Sequence, residues 1–168
     1  MSRSSSEYEL TTTLSAHLAP VSCVAFSPCG KYLASASADR TIKIWTVDDY
    51  TCIKTLRGHR EGISSIAWAA NSELIASASD DNSLRLWHMP SGELTKILSG
   101  HANFVFAVVF NPQGSIVASC SFDNTIKLWN VKSGICIKTL EGHTGPVSAI
   151  DFNLDGSLIA SGSYDGTW

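Results

Sequence analysis

Histidine, serine and aspartate recur together along this chain, and hydrolytic enzymes use these three side chains for nucleophilic catalysis. The histidines at positions 17, 59, 101 and 143 are separated by 42 residues each time. The same interval relates Asp39, Asp81, Asp123 and Asp165, and also two serine series, Ser35, Ser77, Ser119, Ser161 and Ser37, Ser79, Ser121, Ser163. A catalytic site needs its constellation once, whereas this set occurs four times. We therefore interpret it as structural, predict no catalytic residue and predict that the protein is not an enzyme.

Charge and cysteine usage narrow the classes of partner and cofactor. Twelve Lys and Arg against fifteen Asp and Glu give a net charge of -3, so no global positive field attracts nucleic acid directly. The five cysteines form no C-x-x-C pair and no zinc-ligand spacing, which predicts reduced thiols in an intracellular protein, no metal site and no cofactor. No apolar run approaches the roughly 20 residues of a membrane span, so no membrane partner is predicted.

Each period contains four short segments typical of β-strands, and no segment has a helical period. In the first repeat they are Val21 to Phe26, Tyr32 to Ser37, Thr41 to Thr46 and Cys52 to Leu56, separated by turn-forming residues. This predicts a four-stranded antiparallel sheet as the repeating unit. Phe104 to Phe110 is apolar on both faces, which indicates sheets that are covered on both sides by neighbouring sheets.

A period near forty, with Gly-His before the first strand and Trp closing the third, resembles the WD-repeat (WD40) family of β-propellers. The motifs that carry this resemblance are Gly58-His59, Gly100-His101, Gly142-His143, Ile44-Trp45, Leu86-Trp87 and Leu128-Trp129. The resemblance implies an all-β fold over residues 8–168, with repeats at about 17–58, 59–100, 101–142 and 143–168. We expect a partial propeller of three complete four-stranded blades, half a fourth blade and residues 8–14 as an N-terminal closing strand. Residues 1–7 are polar and are expected to form a disordered lead.

In the WD-repeat family, the recurring polar residues form a buried hydrogen-bonded network inside each blade. By this resemblance the tryptophan indole, a serine of the second strand, the Gly-His imidazole and the turn aspartate are linked in sequence. The predicted members are His17, His59, His101, His143, Asp39, Asp81, Asp123, Asp165, Trp45, Trp87 and Trp129, with Ser35, Ser77, Ser119 and Ser161 preferred over the second serine series. Each donor in such a chain has an acceptor, and these hydrogen bonds offset the free-energy cost of burying polar groups.

Function is sought where equivalent positions differ between repeats. Before each turn aspartate the chain has Ala38, Asp80, Phe122 and Tyr164, and near the start of each first strand it has Ser22, Ser64, Phe106 and Ser148. In a propeller both sets approach one mouth of the central channel. A carboxylate beside aromatic faces is a receptor for a cation, above all the guanidinium of an arginine side chain. The alternative is that these side chains only fill the axis.

Several short sequence segments resemble one subfamily within the WD-repeat family. Gly62-Ile63-Ser64, Asn103-Phe104-Val105-Phe106, Ser121-Phe122-Asp123 and Ser163-Tyr164-Asp165-Gly166 are similar to the WD-repeat protein five subfamily. The resemblance implies a nuclear scaffold subunit of histone-lysine methyltransferase complexes, with an arginine-containing peptide from a histone tail or from the catalytic subunit at the channel mouth. Phe106 would be one of two rings around the guanidinium, the second belonging to a later blade, and the other seven residues would form the wall.

Other interpretations of the same repeat remain open. The protein could be a WD-repeat scaffold of another assembly, such as a ubiquitin ligase or a splicing particle. The fourth repeat stops after two strands, so the chain looks truncated and could also be an inert fragment. An incomplete ring leaves self-association open, because its end sheets expose apolar faces.

Overall fold

The computed structural model describes residues 9–168, so the expected disordered lead at residues 1–7 lies outside the described residues. This part of the chain contains fourteen β-strands and no helix. The strands are Val21–Phe26 (β1), Tyr32–Ser37 (β2), Thr41–Thr46 (β3), Cys52–Arg57 (β4), Ile63–Trp68 (β5), Leu74–Ser79 (β6), Ser83–His88 (β7), Glu93–Ser99 (β8), Val105–Phe110 (β9), Ile116–Ser121 (β10), Ile126–Asn130 (β11), Cys136–Leu140 (β12), Val147–Phe152 (β13) and Ile159–Ser163 (β14). Within residues 9–168 no helix is long and apolar enough to cross a membrane.

The strands form three four-stranded sheets and one two-stranded sheet, each in chain order. The first blade is β1 to β4, the second β5 to β8, the third β9 to β12, and β13 with β14 makes the half-blade. Every neighbouring pair is antiparallel, as consecutive strands joined by short turns require. The predicted all-β class and the partial propeller of three blades and a half are confirmed.

The expected N-terminal closing strand is not formed, which corrects that part of the prediction. Residues 9–14 have no strand conformation. A closing strand must pair with the third strand of a blade, and in the described part of the chain β3, β7 and β11 already have a fourth strand on that side. The segment instead lines a cleft with side chains of the first blade, including Phe26, Leu33 and Tyr50.

The apolar core lies between consecutive blades rather than within one sheet. Ile42 and Ile44 of the first blade form one cluster with Ile66 and Trp87 of the second. Corresponding clusters join the second blade to the third and the third blade to the half-blade. Each inner blade therefore buries both of its faces, which explains why its strands are apolar on both sides.

We expect Leu98→Ala to destabilise the protein by about 2 to 5 kcal/mol, because it opens a cavity between the second and third blades. The Leu98 side chain is 1% exposed and packs in the cluster that joins these blades. Urea unfolding followed by tryptophan fluorescence measures the loss. Leu94→Ala on the same strand is the matched control, since Leu94 is 38% exposed and should cost less than about 1 kcal/mol. Equal losses would contradict a core built between blades.

Candidate functional site

A continuous hydrogen-bonded chain of four side chains crosses the second blade. The Trp87 indole N–H donates to Ser77 Oγ at 2.9 Å, and Ser77 Oγ lies 2.8 Å from His59 Nε2. His59 Nδ1 in turn lies 2.8 Å from Asp81 Oδ2. Since Ser77 already accepts the indole proton, its own hydroxyl donates to Nε2, and the ring proton on Nδ1 is donated to the carboxylate. Every group in the chain is thereby satisfied.

The first and third repeats have the same arrangement, and the fourth repeat has its serine, histidine and aspartate members. His17, His101 and His143 lie 2.7, 2.8 and 3.0 Å from the hydroxyl oxygens of Ser35, Ser119 and Ser161. Trp45 and Trp129 donate to Ser35 and Ser119 at 3.0 and 2.8 Å. His17, His101 and His143 also pair with Asp39, Asp123 and Asp165.

The second serine series fixes the turns instead. Its hydroxyls donate to backbone carbonyls of the loop before the first strand and accept the N–H of the turn aspartate. The four residues are Ser37, Ser79, Ser121 and Ser163. Both serine series are therefore structural, and they hold different parts of the blade.

Electrostatics make the four-residue network a stabilising element rather than a reactive one. Burial raises the pKa of Asp123, but hydrogen bonds from Thr125, the Ala102 N–H and His101 outweigh it and lower that pKa to about 2. Burial lowers the pKa of His101, which favours the neutral ring beside the ionised carboxylate. Ser119 is fully buried, so no substrate reaches its hydroxyl. The geometry suits fixation of the turn, not nucleophilic attack.

The network places the first predicted set of side chains at equivalent positions of their blades, because each residue directly precedes a network aspartate. The backbone N–H groups of Ala38, Asp80, Phe122 and Tyr164 donate to the carbonyls of Pro20, Gly62, Phe104 and Pro146 at 3.0, 3.0, 2.9 and 2.9 Å. The turn between the second and third strands is thereby tied to the start of the first strand in every repeat. What differs between repeats is the side chain that this fixed turn presents.

The second predicted set occupies β-bulges. Residues Ser22, Ser64, Phe106 and Ser148 are each the unpaired extra residue of the first strand, where the register with the second strand shifts. A bulge turns a side chain out of the regular alternation and is common next to functional sites. The fold thus uses a repeated backbone irregularity to direct one side chain per blade.

Two residues of the predicted binding wall, Ser22 and Ser64, donate hydrogen bonds to the backbone of the next blade. The Ser22 hydroxyl donates to the Ile63 carbonyl of the second blade, and the Ser64 hydroxyl donates to the Val105 carbonyl of the third. These serines therefore connect the innermost strands of adjacent blades. In the third blade the equivalent residue is Phe106, which has no hydroxyl for such a bond and brings an aromatic ring instead.

The aromatic members of both sets form one cluster. The Phe106 ring centroid lies 5.8 Å from that of Phe122 and 6.4 Å from that of Tyr164, the latter edge to face. Phe122 and Tyr164 remain 43% and 70% exposed. Phe104, which sequence reasoning missed, packs against Phe122 at 6.4 Å and is 46% exposed. The sequence does distinguish Phe104, because Pro20, Gly62 and Pro146 stand at the equivalent positions of the other repeats and none of them is aromatic.

Asp80 lies at the boundary of the first and second blades, separate from the network carboxylates. A Cβ atom placed on Gly62 would be 3.3 Å from both an Asp80 carboxylate oxygen and the Ala38 backbone, so a larger residue there would crowd the Asp80 side chain. Burial raises the pKa of Asp80, and the nearby charges of Glu61 and Asp81 raise it further. Among residues 9–168 no group donates a hydrogen bond to this carboxylate, which leaves it free for a cation.

The comparisons with known proteins agree with this architecture. A family model described as the CAF1B/HIR1 beta-propeller domain matches residues 1–138. The chain belongs to the CAF1B/HIR1 β-propeller family. A second model, described as WD domain, G-beta repeat, matches residues 134–168, so the WD-repeat resemblance is confirmed. The matches do not support the narrower resemblance to the WD-repeat protein five subfamily, which stays a prediction.

Curated relatives match single repeats of this chain. WD repeat-containing protein AAC3 of Dictyostelium discoideum is 44% identical over 41 residues, which is 24% of this chain and 9% of the relative. WD repeat and HMG-box DNA-binding protein 1 of Xenopus laevis is 52% identical over 40 residues, 24% of this chain and 4% of the relative. Protein hir1 of Schizosaccharomyces pombe is 43% identical over 44 residues, 26% of this chain and 5% of the relative. The matched segments are thus small parts of these longer proteins.

Metal and thiol chemistry have no evident place at the channel mouth. Within the described part of the chain, no three His, Cys, Asp or Glu side chains converge as metal ligands do. Cys23, Cys29, Cys52, Cys120 and Cys136 are all free thiols. The chemical groups at the predicted positions are the aromatic rings of the third blade and half-blade and the Asp80 carboxylate of the second blade.

We expect Asp123→Asn to lower the free energy of unfolding at pH 7. We also expect this free energy to change less with pH in the variant than in the parent protein. The Asp123 pKa of about 2 lies below the ordinary value of 3.8, so the folded state favours the ionised form. This stabilisation is fully present above about pH 4 and is lost as the pH falls through about 2. Urea unfolding of both proteins from pH 7 to pH 2 should show their difference shrinking below pH 4. A difference that stays constant over this range would contradict the ionised network.

Proposed function

We propose that the protein is a non-catalytic interaction scaffold that binds an arginine-containing peptide at its channel mouth. The single observation that carries this is the aromatic cluster in which the partly buried Phe106 meets the exposed rings of Phe122 and Tyr164, presented by a bulge and two fixed turns. Exposed aromatic side chains gathered in one place are a common mark of a protein interaction surface. The cluster occupies positions that the other blades fill with small or polar residues.

The chemistry of the mouth favours a planar cation. A guanidinium stacks on aromatic faces and at the same time donates paired hydrogen bonds to a carboxylate, which an ammonium group does less well. Aromatic faces come from the third blade and the half-blade, and the carboxylate comes from Asp80 of the second. A peptide that crosses the mouth would engage both, with its arginine directed into the channel. The backbone contacts of Ser22 and Ser64 keep the inner strands in place while it binds.

The state of Asp80 also favours a cationic ligand. Its pKa is raised because it is partly buried near Glu61 and Asp81, so ionising it costs free energy in the unliganded protein. A bound guanidinium would remove this cost by supplying the missing opposite charge. Carboxylates with raised pKa values at a surface opening are typical of functional rather than structural positions.

A nuclear, chromatin-associated assembly is the setting that we propose for this scaffold. One relative of a single repeat is by its name an HMG-box DNA-binding protein, and the family model covers the greater part of this chain. A histone tail and methyltransferase subunits are the narrower partners implied by the subfamily resemblance. They remain proposals, because the matched segments span no more than 9% of these three relatives.

Removal of the bulge ring should abolish most peptide binding. We expect Phe106→Ala to weaken binding of a fluorescent arginine-containing peptide by at least about tenfold, the loss typical of a central aromatic contact. Fluorescence anisotropy measures it, with a matched peptide that has citrulline in place of arginine as the ligand control. Phe26→Ala, which alters an exposed ring on β1, should leave the affinity unchanged. Equal binding of both peptides would contradict a guanidinium receptor.

The negative charge of Asp80 should strengthen peptide binding but lower the stability of the unliganded protein. We expect Asp80→Asn to weaken peptide binding and to increase the free energy of unfolding at pH 7. The sign follows from the raised pKa: the folded state resists ionisation of Asp80, so its charge destabilises the fold once the pH exceeds the raised value. Urea unfolding and anisotropy on the same samples test both effects. A loss of stability together with the loss of binding would identify Asp80 as structural instead.

A further inference from the structure

The third strand of every complete blade has a basic residue at one equivalent position, and in two blades its charge is used internally. Lys43 Nζ donates to Thr55 Oγ1 at 3.3 Å in the first blade, and Lys127 Nζ donates to Thr139 Oγ1 at 2.9 Å in the third. In both cases the acceptor is the residue paired directly across on the fourth strand. These two cations are therefore part of the internal bonding of their sheets.

The second blade breaks this pattern. Its basic residue is Arg85, and the residue paired across from it is Ile97, which offers no acceptor. Within residues 9–168 the Arg85 guanidinium makes no hydrogen bond, although its side chain is only 9% exposed, and its Nε is buried without a partner. Asp81 Oδ2 lies 4.0 Å from Nη2, beyond hydrogen-bond distance, and already accepts bonds from His59 and the Arg60 N–H. A buried guanidinium without acceptors is costly unless a ligand completes it.

The Arg85 guanidinium, which has a long ion-pair contact with Asp81 but no hydrogen bond within residues 9–168, borders an open cleft of about 260 Å³ on the outer half of the second blade. Its lining consists of Arg60, Asp81, Ser83, Arg85, Ile97 and Ser99. Two arginines and one aspartate line this cleft, and the Asp81 carboxylate already accepts the hydrogen bonds of the network, including those from Ser83. The charged residues of the lining therefore have a net positive charge.

We propose that this cleft binds an oxyanion, the carboxylate or phosphate group of a peptide segment, between Arg60 and Arg85. A guanidinium matches the two oxygens of either group with paired hydrogen bonds. Gly58 allows this arrangement, because a Cβ atom there would come within 2.5 Å of Arg85 Nη1 and displace it. The site lies away from the channel mouth and does not depend on the arginine-peptide proposal.

The first blade provides an internal comparison. Its equivalent cleft is smaller, about 150 Å³, and has Leu18 where the second blade has Arg60 and Arg57 where the second blade has Ser99. Its strand-three cation, Lys43, is already held by Thr55. Both clefts therefore have two basic residues and one carboxylate, and the second blade differs in that its buried strand-three cation has no hydrogen-bond acceptor within residues 9–168.

The Nε–H resonance of Arg85 in a ¹⁵N spectrum of the 168-residue chain reports on the site directly. It is assigned by its disappearance in Arg85→Lys. Titration with inorganic phosphate, and separately with an acetylated glutamate-rich peptide, is done at constant ionic strength with chloride. We expect a saturable shift of this resonance with at least one of the two probes. A shift with phosphate alone assigns the site to phosphate groups, a shift with the peptide extends it to carboxylates, and no shift with either overturns the proposal.

Matched variants separate a built site from general charge attraction. We expect Arg60→Gln to weaken binding by about tenfold, and Lys132→Gln, the same charge change at an exposed turn of the third blade, to leave it unchanged. Ile97→Thr restores the hydroxyl that the other blades have, so it should give Arg85 an internal acceptor and reduce the shift. Near-ultraviolet circular dichroism of the tryptophans verifies the fold of each variant. Equal weakening by Arg60→Gln and Lys132→Gln would overturn the proposal, because it would show charge attraction alone.

Discussion

The hydrogen-bonded chain from tryptophan through serine and histidine to aspartate is the interaction on which the rest of the structure depends. It connects the third strand, the second strand and the loop before the first strand of one blade, and its last member fixes the turn that reaches the channel. In the third blade this last member is Asp123, and the next residue toward the N-terminus is Phe122 at the mouth. The position of Phe122, a candidate binding residue, is thus set by hydrogen bonds within its own blade.

Asp80 and Asp81 are adjacent carboxylates of the second blade, and they differ in their hydrogen bonds and in the direction of their pKa shifts. Asp81 accepts bonds from His59, Ser83 and the Arg60 N–H, and these outweigh burial and lower its pKa. Asp80, one residue earlier, is partly buried with no donor among the described residues, and its pKa is raised. Two identical side chains therefore have opposite electrostatic roles, because the backbone directs one into the blade and the other toward the channel.

The repeat also provides its own standard of comparison. Because each structural role occurs in several blades, a residue that departs from its equivalents needs another explanation. Phe106 departs from the serines at the bulge, and Arg85 with Ile97 departs from the lysine and threonine pairs of the neighbouring blades. In both places the departure removes a hydrogen bond that the equivalent residues make in other blades, and both residues are therefore the basis of a proposed binding site.

The sequence by itself determined the fold class, the four-strand unit and the recurring polar positions, because a period of 42 residues records local structure that is the same in every copy. It also indicated the two sets of variable positions at the mouth. Only the tertiary structure decided that Ser22 and Ser64 bond to the next blade, that Phe104 joins the aromatic cluster and that Arg85 Nε has no hydrogen-bond acceptor among residues 9–168. It likewise showed that residues 9–14 form no closing strand, since a strand exists only where a neighbour has free backbone groups. These outcomes depend on contacts between blades and on bulges that interrupt the alternation of strand faces, and neither is encoded in the spacing of residues within one repeat.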